Sequence, residues 1–151
     1  MPTPDFLFSL ANPVAMLGWA LLVLAPRWRG TRAVVLSGAL PLLLAAAYVA
    51  FIGYQTVAHP APGGGFGSLG EVAALFREPW ALLAGWVHYL CFDLAVGAWE
   101  TRDAHRRGVP HWVLVPCLLA TFLLGPLGLL LYCGGRRLFR PAPPAAAAPA
   151  A

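Results

Sequence analysis

Four long stretches of the chain are almost free of charged residues. They cover residues 6 to 25, 33 to 58, 80 to 99 and 112 to 133. A helix needs about 20 apolar residues to cross the roughly 30 Å hydrocarbon core of a bilayer. The pattern therefore predicts an all-α, polytopic membrane protein with four transmembrane helices, which form one domain over residues 1 to 133.

The segments around these stretches predict local detail. Ser68 and Glu71 have capping-box spacing, and the apolar stripe that follows predicts a short interfacial helix over residues 68 to 78 that could cover a cavity. We expect Pro41 to kink the second span. Prolines and glycines predict an irregular, inward-packed fourth span, and the Pro/Ala-rich part of the tail, residues 134 to 151, is expected to be disordered.

The first stretch differs from a secretory signal because no basic residue precedes it and its cleavage context is poor, so we expect it in the mature protein. Asn12 and Pro13 within it predict a local kink or a helix-packing contact. Four spans would place both termini on one side. The two loops on the other side of the membrane hold six arginines, and the termini and the middle loop hold four. This difference is too small to fix the orientation.

Composition supports a membrane location. Hydrophobic residues make up 60% of the 151 residues and charged residues 11%, whereas soluble domains are about 25% charged. The ten basic residues are all arginines, scattered beside apolar runs, so no nucleic-acid-binding tract is present. We expect a multi-pass protein of the bacterial cytoplasmic (inner) membrane, with membrane lipids as its first partners.

Metal and cofactor chemistry is not indicated. The three cysteines lie in apolar runs without C-x-x-C spacing, and no two of the four histidines are spaced i, i+4 on a helix. We therefore expect no metal site and no cofactor.

Asp93 is the exceptional charge, because it lies inside the third span. A carboxylate at a helix centre costs about 2.5 to 3.5 kcal/mol, so it needs a partner, a wet cavity or a proton. The helical stripe around it carries Trp86, Tyr89, Gly97 and Glu100. Of the residues on and beside this stripe, those predicted to bind substrate are Trp86, Tyr89, Gly97 and Trp99.

His88 precedes Asp93 by five residues, about 7.5 Å along the helix and about 140° around it. The two cannot meet as i, i+4 neighbours but could flank one cavity. Low dielectric favours the neutral forms of both, and a neutral acid with a neutral base suits isomerisation without a cofactor. Alternatively, both side chains only hydrogen-bond neighbouring helices near Asn12. Thr121 is expected to bond its own helix backbone.

Residues 86 to 94, W-V-H-Y-L-C-F-D-L, resemble the W-x-H-x4-D-L hallmark of the abscisic-acid-deficient, neoxanthin-synthase-like membrane family. The Gly-x5-Phe pattern at Gly70 and Phe76 and the Pro-x-Gly element at Pro126 and Gly128 are also similar to that family. The resemblance extends over most of residues 5 to 133.

This resemblance implies a four-helix membrane protein whose plant relatives are required to make neoxanthin from violaxanthin. That reaction isomerises an epoxide to an allene and needs no redox cofactor. The roles of Asp93 and His88 as catalytic acid and base are our hypothesis. The expected partners are a carotenoid or another isoprenoid, and other membrane enzymes.

Two other classes of function remain open at this point. A short multi-span protein with one membrane carboxylate could be a small proton-coupled transporter. Small residues on the helix faces would also suit a non-catalytic subunit of a membrane enzyme complex.

Overall fold

The computed structural model describes residues 2 to 139, and this part of the chain is helical without any strand, as predicted. A π-helical turn, Arg32–Leu36, extends α2, and a 3-10 turn, Arg136–Leu138, follows α7. The α-helices are α1 (Pro4–Leu24), α2 (Arg29–Thr31), α3 (Ala39–Ala58), α4 (Leu69–Leu75), α5 (Pro79–Arg107), α6 (His111–Leu124) and α7 (Pro126–Gly135).

Three helical segments of the described chain are long and apolar enough to cross a membrane. They are Pro4–Leu24, Arg29–Ala58 and Pro79–Arg107, with 21, 30 and 29 residues. These correspond to the first three predicted spans. Asn12 accepts a hydrogen bond from the Trp86 indole at 2.9 Å, which confirms the packing contact predicted near Pro13.

The second segment breaks at Gly38. The π-helical turn ends there, Gly38 takes a positive φ of 90°, and α3 starts at Ala39. The kink predicted at Pro41 is wrong, because Pro41 lies in the first turn of α3, where a backbone N–H has no helical partner to lose.

The longest helix, α5, is the centre of the molecule and packs against α1, α3 and α6. The Glu78 side chain accepts a hydrogen bond from Ala81 N at 2.9 Å at its start, and Gly108, with φ 67°, ends it. Val87 and Leu94 of α5 pack with Leu22 of α1 in the fully buried core.

The fourth predicted span is not one helix, and this prediction is wrong. The chain breaks at Gly125, and α7 turns back along α6 so closely that a Cβ on Gly128 would overlap Thr121. Seven residues of a continuous helix would separate those positions by about 10 Å. The segment is a helical hairpin whose two arms reach the same end of α5.

The short helix between α3 and α5 forms where the capping pattern predicted it. Ser68 Oγ accepts from Glu71 N at 3.2 Å, and a Glu71 oxygen accepts from Gly67 N at 2.9 Å. Phe76, which follows α4, places its ring directly on Gly85 of α5. The interfacial position of α4 stays a prediction.

The basic start of the tail is helical up to Leu138. The disorder predicted for its Pro/Ala-rich part falls on residues 140 to 151, which lie outside the described residues.

Candidate functional site

Asp93 lies at the midpoint of α5, with fourteen residues of the helix on each side. At 1.5 Å per residue it is about 21 Å from either end, twice as deep as the sequence-predicted span implied. The tip of the α6–α7 hairpin meets it there. A Cβ on Gly125 would lie 3.0 Å from Asp93 Oδ1, which is tighter than nearly all Cβ contacts, so the glycine lets the tip approach the carboxyl group closely.

The hairpin tip has a local cause in the sequence. Gly125 has φ 40° and ψ −92°, a backbone conformation that side-chain-bearing residues rarely adopt. Its N–H still donates to Thr121 O at 2.8 Å, and Pro126 starts the next helix at a position that needs no N–H. The Gly-Pro pair therefore ends one helix and starts another within a single residue.

One oxygen of Asp93, Oδ2, is buried and has no hydrogen-bond partner among residues 2 to 139. The Tyr89 hydroxyl, one turn earlier on α5, lies beside the carboxyl group but donates its proton to Phe122 O at 2.7 Å. A hydroxyl has one proton to give. Asp93 is thus held against the hairpin without a cation, and it retains an oxygen free to accept a proton.

Glu100 is a second buried carboxyl group on the same face of α5, and its side chain is 0% exposed. The Thr121 hydroxyl lies 3.0 and 3.1 Å from its two oxygens and donates to it. The prediction that Thr121 bonds its own helix is wrong, because this buried acceptor on α5 takes the proton instead. The pair locks the first arm of the hairpin to α5.

Asp103 holds the second arm. Its carboxylate accepts from the Tyr132 hydroxyl at 3.0 Å and from Arg136 at 3.0 Å, both on or just after α7. Arg107, one turn later on α5, donates to the same oxygen at 2.8 Å. Asp103 is 5% exposed, so these contacts form a part-buried ion cluster.

A cavity of about 350 Å³ opens between α1, α5 and α6, and Tyr89, whose hydroxyl lies beside the Asp93 carboxyl group, is part of its lining. Trp86, Tyr89 and Phe122 supply its aromatic wall and Asn12 its polar edge. Trp86 also borders a second cavity of about 300 Å³, nearer the start of α1 and α5. Together these cavities form an apolar groove along the α1–α5 contact, divided by the Trp86 indole.

His88 faces away from this groove. Its ring packs edge-on to Tyr48 of α3 at 5.3 Å and stacks on Phe92 at 4.6 Å. It borders a different cavity, of about 230 Å³, which Leu75 and Phe76 cover from the α4 side. The structure therefore does not bring His88 and Asp93 together around one cavity.

The other predicted site residues divide into two groups. Trp86 and Tyr89 line the groove, whereas Gly97 and Trp99 make packing contacts. A Cβ on Gly97 would lie 2.7 Å from the Trp19 ring of α1. Trp99 packs edge-on to Tyr132 at 5.6 Å and lies under the Arg136 guanidinium at 5.1 Å.

Sequence reasoning placed Glu100 on the stripe of Asp93 but assigned it no role, and it missed the partners on the hairpin. The available signal was the continuation of that stripe to Asp103 and Arg107, at helical spacings of three and four residues. Thr121 and Tyr132 could not be found this way, because only the reversal at Gly125 brings them to α5.

The fold and site define a helical membrane protein with an uncompensated carboxyl group at the centre of its longest helix. The family model described as ABA DEFICIENT 4-like matches residues 6 to 132, and the chain belongs to this family. Its match includes Trp86, His88 and Asp93. Comparisons with curated proteins and with solved structures gave no match.

Proposed function

We propose that this protein is a neoxanthin-synthase-like membrane isomerase that acts on a carotenoid or a related isoprenoid through Asp93, without a cofactor. One observation carries the proposal. The Asp93 carboxyl group, at the midpoint of α5, has one oxygen at the hairpin tip and one buried oxygen without a partner. A carboxyl group in this setting is suited to hand over a proton and take one back.

The epoxide-to-allene reaction needs one group that donates a proton and one group that removes a proton. A neutral Asp93 donates its proton to the epoxide oxygen as the C–O bond breaks. The other oxygen of the same carboxyl group removes a proton from the adjoining polyene carbon, and the electrons of that C–H bond form the allene. The product is a tertiary alcohol with the atoms of the substrate, and Asp93 ends protonated as it began.

The groove along α1 and α5 fits a long, apolar substrate. Its aromatic walls offer stacking surfaces to a conjugated chain. Its inner part is lined by Tyr89, whose hydroxyl lies beside the Asp93 carboxyl group. We propose that Trp86 and Tyr89 position the substrate. For His88 we propose a binding role in the separate cavity under α4, since it does not share the groove.

We infer that three helices cross the membrane and that the α6–α7 hairpin enters and leaves on one side. With this arrangement the arginines are distributed more unequally between the two sides of the membrane than with four spans. Of the nine arginines within residues 2 to 139, eight lie at the end of the molecule where α1 and α5 finish, and Arg77 lies at the other. The positive-inside rule then makes the arginine-rich end cytoplasmic. A multi-pass protein of the cytoplasmic membrane is the corresponding proposal.

A small proton-coupled transporter is the second candidate, because the hairpin itself favours it. Broken helices whose tips meet at the membrane midplane form the binding sites of several transporter folds, with a titratable carboxyl group at the centre. The two candidates differ in what Asp93 does with its proton.

The proposal is tested by pigment profiles of carotenoid-producing bacteria that express the protein, with and without epoxidised xanthophylls. The wild type should convert an epoxide to an isomeric allene, and Asp93→Asn should abolish conversion at equal protein abundance in the membrane. Glu71→Gln, at the exposed cap of α4, is the matched control and should convert normally. Unchanged pigments in every host would refute the isomerase, and proton-dependent efflux lost in Asp93→Asn would favour the transporter.

A further inference from the structure

A cavity at the arginine-rich end of the molecule has a different chemistry from the groove. It measures about 410 Å³ and lies between the π-helical turn that precedes α3 and the last turns of α5. Its lining consists of Arg32, Leu36, Ser37, Arg102, His105 and Arg106. Three arginines therefore contribute to the lining of one space, together with His105 and the apolar Leu36.

These cations have little anionic compensation. Among residues 2 to 139, neither Arg32 nor Arg102 is paired with a carboxylate, and Arg106 reaches Asp103 only at 3.4 Å. Asp103 is already bound by Arg107, Arg136 and Tyr132. The nearby Arg27 borders the adjoining cavity, which shares His105, and adds to the positive field.

The backbone break before α3 holds the cavity in shape. Arg102 donates to Leu36 O at the end of the π-helical turn, which fixes its guanidinium and leaves its other donors for a ligand. Arg32 makes one long hydrogen bond of 3.4 Å, to Arg27 O. The guanidinium of Arg102 is held in place and that of Arg32 can adjust. Two such groups beside one cavity suit a tetrahedral anion with several oxygens.

We propose that this cavity binds a phosphate group at the membrane surface. Basic pockets between helices on the cytoplasmic side are where phosphate-bearing lipid head groups bind, and Leu36 offers an apolar contact beside them. The same chemistry would accept a free phosphate or diphosphate from solution. The proposal is independent of the isomerase, because the cavity lies near Arg102 to Arg106, about 14 to 20 Å along α5 from Asp93.

The test uses the full-length protein in a neutral detergent and measures binding of phosphatidylglycerol, with phosphatidylcholine as the uncharged reference. Arg32→Ala is the main variant, because Arg32 is exposed and makes one weak internal contact. Arg29→Ala is the matched control: it removes an exposed arginine at the same end that lies outside the cavity. One arginine near a membrane surface corresponds to about a five-fold change in affinity.

We expect selective binding of phosphatidylglycerol by the wild type, about five-fold weaker binding by Arg32→Ala and unchanged binding by Arg29→Ala. If millimolar inorganic diphosphate displaces phosphatidylglycerol, the cavity also accepts a soluble phosphate compound. If phosphatidylglycerol stays bound, the ligand of the cavity is a lipid head group. Equal losses in the two variants, or equal binding of phosphatidylcholine, would overturn the proposal. Arg102→Gln should repeat the effect of Arg32→Ala if it remains folded by thermal unfolding.

Discussion

The Thr121 hydroxyl donates to the buried carboxyl group of Glu100, which stands 21 residues earlier on another helix. This bond fixes the depth at which the hairpin tip stops, because Gly125 follows Thr121 by one turn and then meets Asp93. The position of the hairpin tip against Asp93 thus depends on a hydrogen bond from a neutral donor on α6 to α5.

Thr121→Val should therefore destabilise the protein. The substitution keeps the shape of the side chain and leaves Glu100 buried without its donor, at a cost of about 1 to 3 kcal/mol. Thermal unfolding in detergent measures it, and Thr121→Ser, which keeps the hydroxyl, is the control. A Thr121→Val protein as stable as the wild type would contradict the importance of this bond.

Gly125→Ala should lower activity, whereas Gly134→Ala, in the second arm of the same hairpin, should not. The backbone conformation of Gly125 costs about 1 to 3 kcal/mol for a residue with a Cβ, and that Cβ would press on Asp93 Oδ1. Gly134→Ala is the matched control, because a Cβ there meets open space in a helix. Pigment conversion per amount of folded protein is the measurement, and equal activities would argue against the tight tip.

The Asp103 cluster predicts coupling between the end of α5 and the second arm of the hairpin. Asp103→Asn should cost about 2 kcal/mol, as expected when a charged acceptor in a part-buried cluster is lost. A double-mutant cycle with Tyr132→Phe checks this, because residues that share a hydrogen bond show coupling of about 0.5 to 3 kcal/mol. Strictly additive effects on the unfolding free energy would show that α5 and the second arm of the hairpin are not coupled through this hydrogen bond.

Three crossing helices and a re-entrant hairpin predict opposite locations for the two termini. A fluorescent protein fused to the C-terminus should fold in the cytoplasm, and a reporter inserted in the loop between α3 and α4 should be active outside. The N-terminus should lie on the same side as that loop. Finding both termini on one side would restore the four-span arrangement.

The helical class, the first three spans, the cap of α4 and the family motif could be predicted from the sequence. The signals behind them are local: the length of an apolar stretch, its lack of charged residues and a capping pattern. Asp93 stood out for the same reason. The hairpin could not be predicted, because a 22-residue apolar run with Gly125 and Pro126 in its middle suits a kinked span as well as a reversal. The separation of His88 from Asp93 depends on which helices pack against the two faces of α5.

The central claim is that the Asp93 carboxyl group isomerises an epoxidised isoprenoid at the hairpin tip. The most direct measurement is conversion of violaxanthin by purified protein in detergent, followed by absorption and by the mass of the product. The wild type should form an allene of unchanged mass and Asp93→Asn should form none, while Glu71→Gln matches the wild type. Conversion by Asp93→Asn at the wild-type rate would contradict the claim.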